Sequence, residues 1–441
     1  MKKRHIFTLF TVFLLIFGLM ASALAVPNSP EHRAHAIVLA DARTGDILYS
    51  QNMHDRIEPA SVTKIMTALL AIEALDRGEV NVNDLLTTSE AALADMIPYA
   101  ASIHLQVGEE MTFESLLHAI MLVSANDASN VVAEHLGGSI PGFLEMMNAR
   151  ARELGAMNTH FTNTHGLPGY NHYSTAYDIF RITQHAIANP RFADLYSMQE
   201  RLFPATNMRP AGVFHSTNRM TDPNAAEYYP GVFGVKTGFT DAAGFCLVST
   251  AVQGDIYLLA VVMGVPIGIE GVNHFTETAA IYDWAFANLE YTELIPITTE
   301  ITRIPIALGD GADTVGLRPQ RTVNALLLAG TSLGELRRDV ILFENVRENL
   351  TAPVNQGDVL GELTLHYNGR SFGPIPLVAA ETVNLSRTDF IWDEITNTLG
   401  SPLVLGVLIV LGLLFLLYIV YAITYSVKKR RRRRERMNRN R

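Results

Sequence analysis

Residues 403–427 carry no charged side chain, and the fourteen residues after them hold ten Lys and Arg against a single acid, Glu435. No other feature limits the fold so strongly. Twenty-five uncharged residues at ~1.5 Å each more than cross a hydrocarbon core of ~30 Å. A polybasic segment directly behind such a run stays on the cytoplasmic side, which places the preceding chain outside. A buried core helix would not run straight into ten cations. The basic tail therefore reads as a stop-transfer signal touching anionic lipid rather than as a nucleic-acid patch. At the other end, Lys2, Lys3 and Arg4 precede an apolar run and Ala21-Ser22-Ala23-Leu24-Ala25. That is the plan of a secretory signal peptide cut after Ala25.

The net charge of −10 over 441 residues averages unlike parts. Between the two ends, residues 26–402 hold 21 basic and 43 acidic residues, a net of −22, while the tail is +9. An exported domain so acidic should not bind nucleic acid. It also has no P-loop and no G-x-G-x-x-G in a strand–helix setting, and needs no cofactor by this reading. One cysteine, Cys246, excludes an intramolecular disulfide and a cysteine-built zinc site, and is expected to be a small buried hydrophobe. The fourteen histidines contain no H-E-x-x-H, so a zinc peptidase and any other metal site lack support.

Residues 35–50 read as two strands around Arg43-Thr44-Gly45. Ile65, Leu69, Ile72 and Leu75 recur at helical spacing over residues 61–77, which end at Gly78. Further helices are expected over about 113–136, 175–188 and 275–289, with strands across 231–265. The order predicts an α+β fold: an antiparallel sheet flanked by helices, with a helical subdomain. After Pro296, short β-like runs at 340–343, 363–367 and 375–378 predict a small β-sandwich with no catalytic constellation. The expected plan is a signal peptide at 1–25, a catalytic domain at 26–297 and a membrane-proximal β-domain at 298–387. A juxtamembrane linker at 388–402 follows, with Phe390 and Trp392 as interface anchors, then a span at 403–427 and a tail at 428–441.

Of six lysines, four lie at the charged ends; the exported domain has 19 arginines and only Lys64 and Lys236. Burial can bring a lysine toward neutrality, whereas arginine cannot be deprotonated, so these two are candidates for chemistry. Ser61 and Lys64 stand three apart at the start of a predicted helix, on one face. A neutral Lys64 amine there could take the Ser61 hydroxyl proton, the Ser-Lys form of nucleophilic catalysis. Alone, the pair is as well explained by a capping serine and a surface lysine. Ser124-Ala125-Asn126 interrupts an apolar helical stretch, where buried Ser and Asn need partners. Lys236-Thr237-Gly238 lies on a predicted strand among Gly231, Gly234 and Gly244, offering a cation, a hydroxyl and close backbone approach.

S-x-x-K, S-x-N and K-T-G, in this order, form the set tied to active-site serine penicillin-recognising enzymes. The chain resembles their low-molecular-mass D-alanyl-D-alanine carboxypeptidases in longer segments too. These are Pro59-Ala60-Ser61-Val62-Thr63-Lys64-Ile65-Met66-Thr67, Asn163-Thr164-His165-Gly166-Leu167-Pro168, His172-Tyr173-Ser174-Thr175-Ala176 and the stretch from Gly234 to Gly244. The likeness covers residues 30–290 strongly and 299–386 more weakly.

The resemblance implies a peptidoglycan pentapeptide substrate and β-lactams as covalent inhibitors. It implies Ser61 as nucleophile and Lys64 as its base, with Ser124 and Asn126 holding the lysine amine and the substrate amide. Lys236 and Thr237 would bind the terminal carboxylate beside Gly238, and the N–H groups of Ser61 and Phe239 would form the oxyanion hole. Some family members carry Arg before the last helix; here the stretch reads Asn273-His274-Phe275-Thr276-Glu277. The Phe239 side chain is expected to pack, and His165 to shape a turn near the site. A class A β-lactamase would need an E-x-x-L-N segment between Ser124 and Lys236, and none is present. The motifs leave open a transpeptidase or endopeptidase, and a non-catalytic wall-binding scaffold.

Overall fold

A computed structural model describes residues 31–439; the expected signal peptide at 1–25 lies outside the described residues. The chain divides into two compact units. The first runs to Thr292 and includes Leu326–Thr331; the second comprises Glu293–Ala325 and the chain from Ser332 onward.

The first unit is built on a five-stranded antiparallel sheet, in which β1 (Ala36–Asp41) and β2 (Ile47–Gln51) form the expected hairpin. The later strands β3 (Val232–Thr240), β4 (Gly244–Gln253) and β5 (Ile256–Val265) complete the order β2-β1-β5-β4-β3. β1 is buried along its whole length because both faces are covered. Val38 and Ala40 join the core under the helical subdomain, with Cys246, Val248, Val261 and Met263. Leu39 joins the opposite core, with Leu247, Leu258, Ala260 and Tyr282. Alternation of side chains along a strand thus places one residue set in each core. Each fully buried aliphatic side chain contributes about 1.5–3 kcal/mol.

Helix α1 (Lys64–Asp76) is buried on nearly every side, as suits the central helix of a subdomain. It ends where glycine allows a left-handed residue: Gly78 has φ +72°, and the Arg77 and Gly78 N–H groups cap Glu73 and Leu75 carbonyls. The helical stretch over 113–136, read as interrupted at Ser124-Ala125-Asn126, is two helices, α2 (Phe113–Leu122) and α3 (Asn126–Gly137). The break falls at Ser124, whose φ of +63° cannot continue a right-handed helix. Helix α4 (Ala176–Ile187) starts on a Thr175 cap, and α5 (His274–Asn288) on an Asn273 capping box.

The second unit carries β6 (Thr302–Pro305), β7 (Thr314–Pro319), β8 (Arg337–Leu342), β9 (Val359–Tyr367) and β10 (Arg370–Ala379). They form an antiparallel sheet in the order β6-β7-β10-β9-β8. Asn368 and Gly369, both at positive φ, close the β9–β10 hairpin in the manner favoured for tight turns. Residues read as a linker are helical: α6 (Arg387–Gly400) is capped by Ser386. It exposes Ile391, Trp392, Ile395 and Leu399 along one stripe. α7 (Pro402–Arg439) follows, and its apolar side chains are exposed within the described residues. By length and composition it can cross a membrane.

Candidate active site

The expected helix over 61–77 begins one step differently from its pattern. Ala60–Thr63 form a turn of 3-10 helix before α1, so Ser61 sits on the tighter segment and Lys64 at the first α-helical position. Ala60 has φ +47°, a costly conformation for a residue with a side chain. Packing imposes it. A β-carbon at Gly166 would lie 1.8 Å from the Ala60 carbonyl oxygen, and Gly166 itself has φ +93°. On the other side, a β-carbon at Gly238 would come 3.1 Å from the Ser61 nitrogen. The turn carrying Ser61 thus lies between the 163–168 loop and β3, and only glycine permits such approach.

Lys64 is fully buried, and its Nζ lies 3.1 Å from Ser61 Oγ. The same nitrogen donates to Asn126 Oδ1 and to the His165 carbonyl oxygen, each at 2.7 Å. Burial drives its pKa well below the ordinary lysine value; the nearby Lys236 charge adds to this, and Asp127 opposes it. Lys236 is also buried, donates to the Thr237 carbonyl at 3.0 Å, and is brought by burial to about 7.

The turn carrying Ser124 and Asn126 is tied down by backbone and carboxylate bonds. The Asn126 N–H donates to the Ala101 carbonyl at 2.9 Å. Asp127 accepts from Ser102 Oγ at 2.5 Å and from the Leu105 N–H at 3.0 Å. The Ser124 hydroxyl is buried and has no hydrogen-bond partner among the described residues. A buried hydroxyl without a partner costs about 1–3 kcal/mol.

All eight sequence-predicted residues lie on the three segments that meet here: the turn and start of α1, the α2–α3 junction, and β3. Phe239 is half-exposed, and its ring packs 4.6 Å from that of Phe245, its cross-strand partner. Phe245 in turn stacks on His274, which is buried and brought by that burial to about 4. Cys246 is buried, and burial pushes its thiol up to about 12, consistent with an inert core residue.

Two participants have no motif. Thr217 Oγ1 lies 2.6 Å from Thr237 Oγ1, widening the hydroxyl patch beside Lys236. His165 contributes a main-chain oxygen, which no side-chain pattern signals. His172 meets the turn that carries Ser61, its Nε2 3.0 Å from Thr63 Oγ1. The described residues contain no cluster of His, Cys, Asp and Glu able to hold a metal ion.

Residues 23–266 match the model of the D-alanyl-D-alanine carboxypeptidase family of peptidases. The chain is 32% identical over 360 residues to the D-alanyl-D-alanine carboxypeptidase DacF of Bacillus subtilis, covering 82% of this chain and 88% of that one. It is 30% identical over 347 residues to DacA of Haemophilus influenzae, covering 77% and 83%. Among solved structures, penicillin binding protein 5 of Haemophilus influenzae superposes with a TM-score of 0.66 at 30% identity, over 81% of this chain and 99% of that one.

Proposed function

The chain belongs to the D-alanyl-D-alanine carboxypeptidase family, and from that premise we propose how its own residues carry the reaction. The enzyme is a serine-type carboxypeptidase of the penicillin-binding group. The observation that carries our reading is the setting of Lys64. A neutral amine has two N–H bonds and one lone pair. Asn126 Oδ1 and the His165 carbonyl take the two N–H bonds, which leaves the lone pair facing Ser61 Oγ at 3.1 Å. Lys64 then removes the Ser61 proton as Oγ attacks the carbonyl of the penultimate D-Ala.

We assign the oxyanion to the N–H groups of Ser61 and Phe239; in support, β3 closely approaches the Ser61 nitrogen at Gly238, the residue before Phe239. The C–N bond breaks as the Ser124 hydroxyl passes its proton to the departing D-Ala amine and takes the Lys64 proton in its place, which leaves Lys64 neutral again. Lys64 then takes a proton from the water that attacks the Ser61 ester and returns it to Ser61 Oγ as the ester bond breaks. Lys236, with Thr237 and Thr217 beside it, holds the terminal carboxylate of the pentapeptide or the corresponding carboxylate of a β-lactam.

We place the catalytic unit on the extracytoplasmic face, anchored by α7. Two features support this: the basic residues that follow the uncharged run, and the apolar stripe of α6 beside it.

The test is mass spectrometry of products from a D-Ala-D-Ala-terminated wall peptide, using the full-length protein in membranes with and without an acceptor amine. Free D-Ala with a shortened peptide is the expected result in both. A dominant amine-linked product would make it a transpeptidase. No product and no covalent labelling by a fluorescent penicillin would leave only an inert scaffold.

Carboxylate binding should also depend on pH through Lys236. The free lysine is brought to about 7, and only its ammonium form attracts a carboxylate. A bound carboxylate raises the lysine pKa, so affinity is full below about 7 and falls as pH rises above it. The second-order acylation rate constant for a penicillin is therefore expected to decline above neutral pH. Lys236→Arg should remove that decline, because guanidinium stays charged. An unchanged alkaline limb in Lys236→Arg would assign the limb to another group.

A further inference from the structure

Asp95 lies beyond the three motifs, after the short helix Glu90–Leu93. Its carboxylate joins two buried residues behind the lysine. Oδ2 lies 3.0 Å from His165 Nε2, and Oδ1 accepts from Asn130 Nδ2 at 2.7 Å. The imidazole is oriented from its other side as well. The Leu167 N–H donates to His165 Nδ1 at 3.2 Å, so the ring proton sits on Nε2 and points at Asp95. Asn130 Oδ1 accepts from Thr164 Oγ1 at 2.6 Å, and Thr67 Oγ1 donates to the Thr164 carbonyl at 2.5 Å. Residues 164–166 are thus pinned on several sides, with the His165 carbonyl aimed at Lys64 Nζ at 2.7 Å.

We propose that Asp95 is a positioning residue for acylation: by holding the His165 imidazole it fixes the carbonyl that turns the Lys64 lone pair toward Ser61. The proposal rests on the reading of Lys64 as base. Lys64 itself faces Ser61, Asn126 and the His165 carbonyl, with the Asp127 charge from α3 and the opposing Lys236 charge from β3. Asp95 touches none of the reacting atoms. Its carboxylate is about half exposed, at 48%, so its replacement leaves the core intact.

Two effects follow from loosening this carbonyl. The amine turns freely, so the maximal acylation rate falls. The ammonium form also loses an acceptor, which lowers the Lys64 pKa further and moves the acid limb of the rate profile to lower pH. A change that merely weakened the fold would reduce the number of working sites without moving that limb.

Asp95→Asn makes the test. It keeps the shape, but His165 and Asn130 bond different oxygens of Asp95, and in asparagine one of these becomes an NH2 group that cannot accept. Acylation of the full-length protein by a fluorescent penicillin would be followed across pH, with each rate expressed per site titrated by the burst. The expected result is a plateau lower by about tenfold or more, with the acid limb shifted down. His165→Ala should show the same profile, and adding Asp95→Asn to it should cost little more, since the carboxylate acts through the ring. A plateau within about twofold of the parent, an unmoved limb, or additive losses in the double variant would overturn the proposal. These outcomes are separable from failure of the base assignment, which would show instead as near-normal acylation in Lys64→Arg.

Discussion

Ser61→Ala is expected to reduce D-Ala release to background and to abolish covalent penicillin labelling. Removing a serine nucleophile that works as part of a unit costs on the order of 10⁶-fold in turnover. What survives is binding and whatever the oxyanion donors do for direct attack by water. The fold should be little affected. Ser61 is half-buried, and Lys64 keeps its 2.7 Å bonds to Asn126 Oδ1 and the His165 carbonyl when Oγ is gone. Thermal unfolding of Ser61→Ala should therefore match the parent, and a penicillin should still bind reversibly at Lys236 and Thr237. Mass spectrometry of the intact protein after penicillin treatment checks the claim directly. An adduct that persists at parental yield in Ser61→Ala would place the nucleophile elsewhere and sink the mechanism.

The sequence made Ser61 and the two lysines legible as candidates because such chemistry is written in side chains. Lysine scarcity isolated Lys64 and Lys236, and the structure buries both. Helix ends were readable where a local device sets them, as at Gly78 and at the Thr175 and Asn273 caps. The rest depends on contacts between distant segments. The 3-10 turn at Ser61 packs against Gly166, about a hundred residues away, so closely that a β-carbon there would overlap the Ala60 carbonyl. Helical periodicity over 61–77 holds no record of that contact. The His165 carbonyl is a main-chain atom, available in principle from any residue, so only the fold reveals that it receives the Lys64 amine. Thr217 reaches Thr237 from the segment that follows a hairpin, with no spacing rule to announce it. The helical stretch over 113–136 broke for a reason that residue types only hint at. Ser124 takes a left-handed conformation, and Asn126 just beyond it meets the Lys64 amine through its side-chain amide. The α6 helix was passed over because fourteen residues with three acids and several threonines carry a weak periodic signal.

Lys64→Arg separates the role of charge from the role of base more sharply than any truncation. Arginine keeps a cation at the position, but its pKa stays above about 12, so it offers no lone pair to Ser61. In the parent, burial first and Lys236 second hold the Lys64 pKa well below the usual lysine value. As pH rises through that lowered pKa the amine becomes neutral and acylation is expected to switch on, giving an acid limb. Arg at the same place stays charged across the whole range, so the limb should vanish together with the rate. Loss of a positioned general base costs about 10²–10⁴-fold, and the bulkier guanidinium crowding Asn126 and the His165 carbonyl places this variant at the upper end. It also buries a permanent cation beside Lys236, so a lower melting temperature is expected. Lys64→Met controls for that cost. It is neutral and of similar length, and should be as slow as Lys64→Arg while lacking the repulsion from Lys236. Stopped-flow acylation by a fluorescent penicillin across pH, with rates per folded molecule, distinguishes the cases. If Lys64→Arg acylates at close to the parental rate, the proton leaves Ser61 by another route. The lysine would then serve only to hold Asn126 and the 164–166 loop in place.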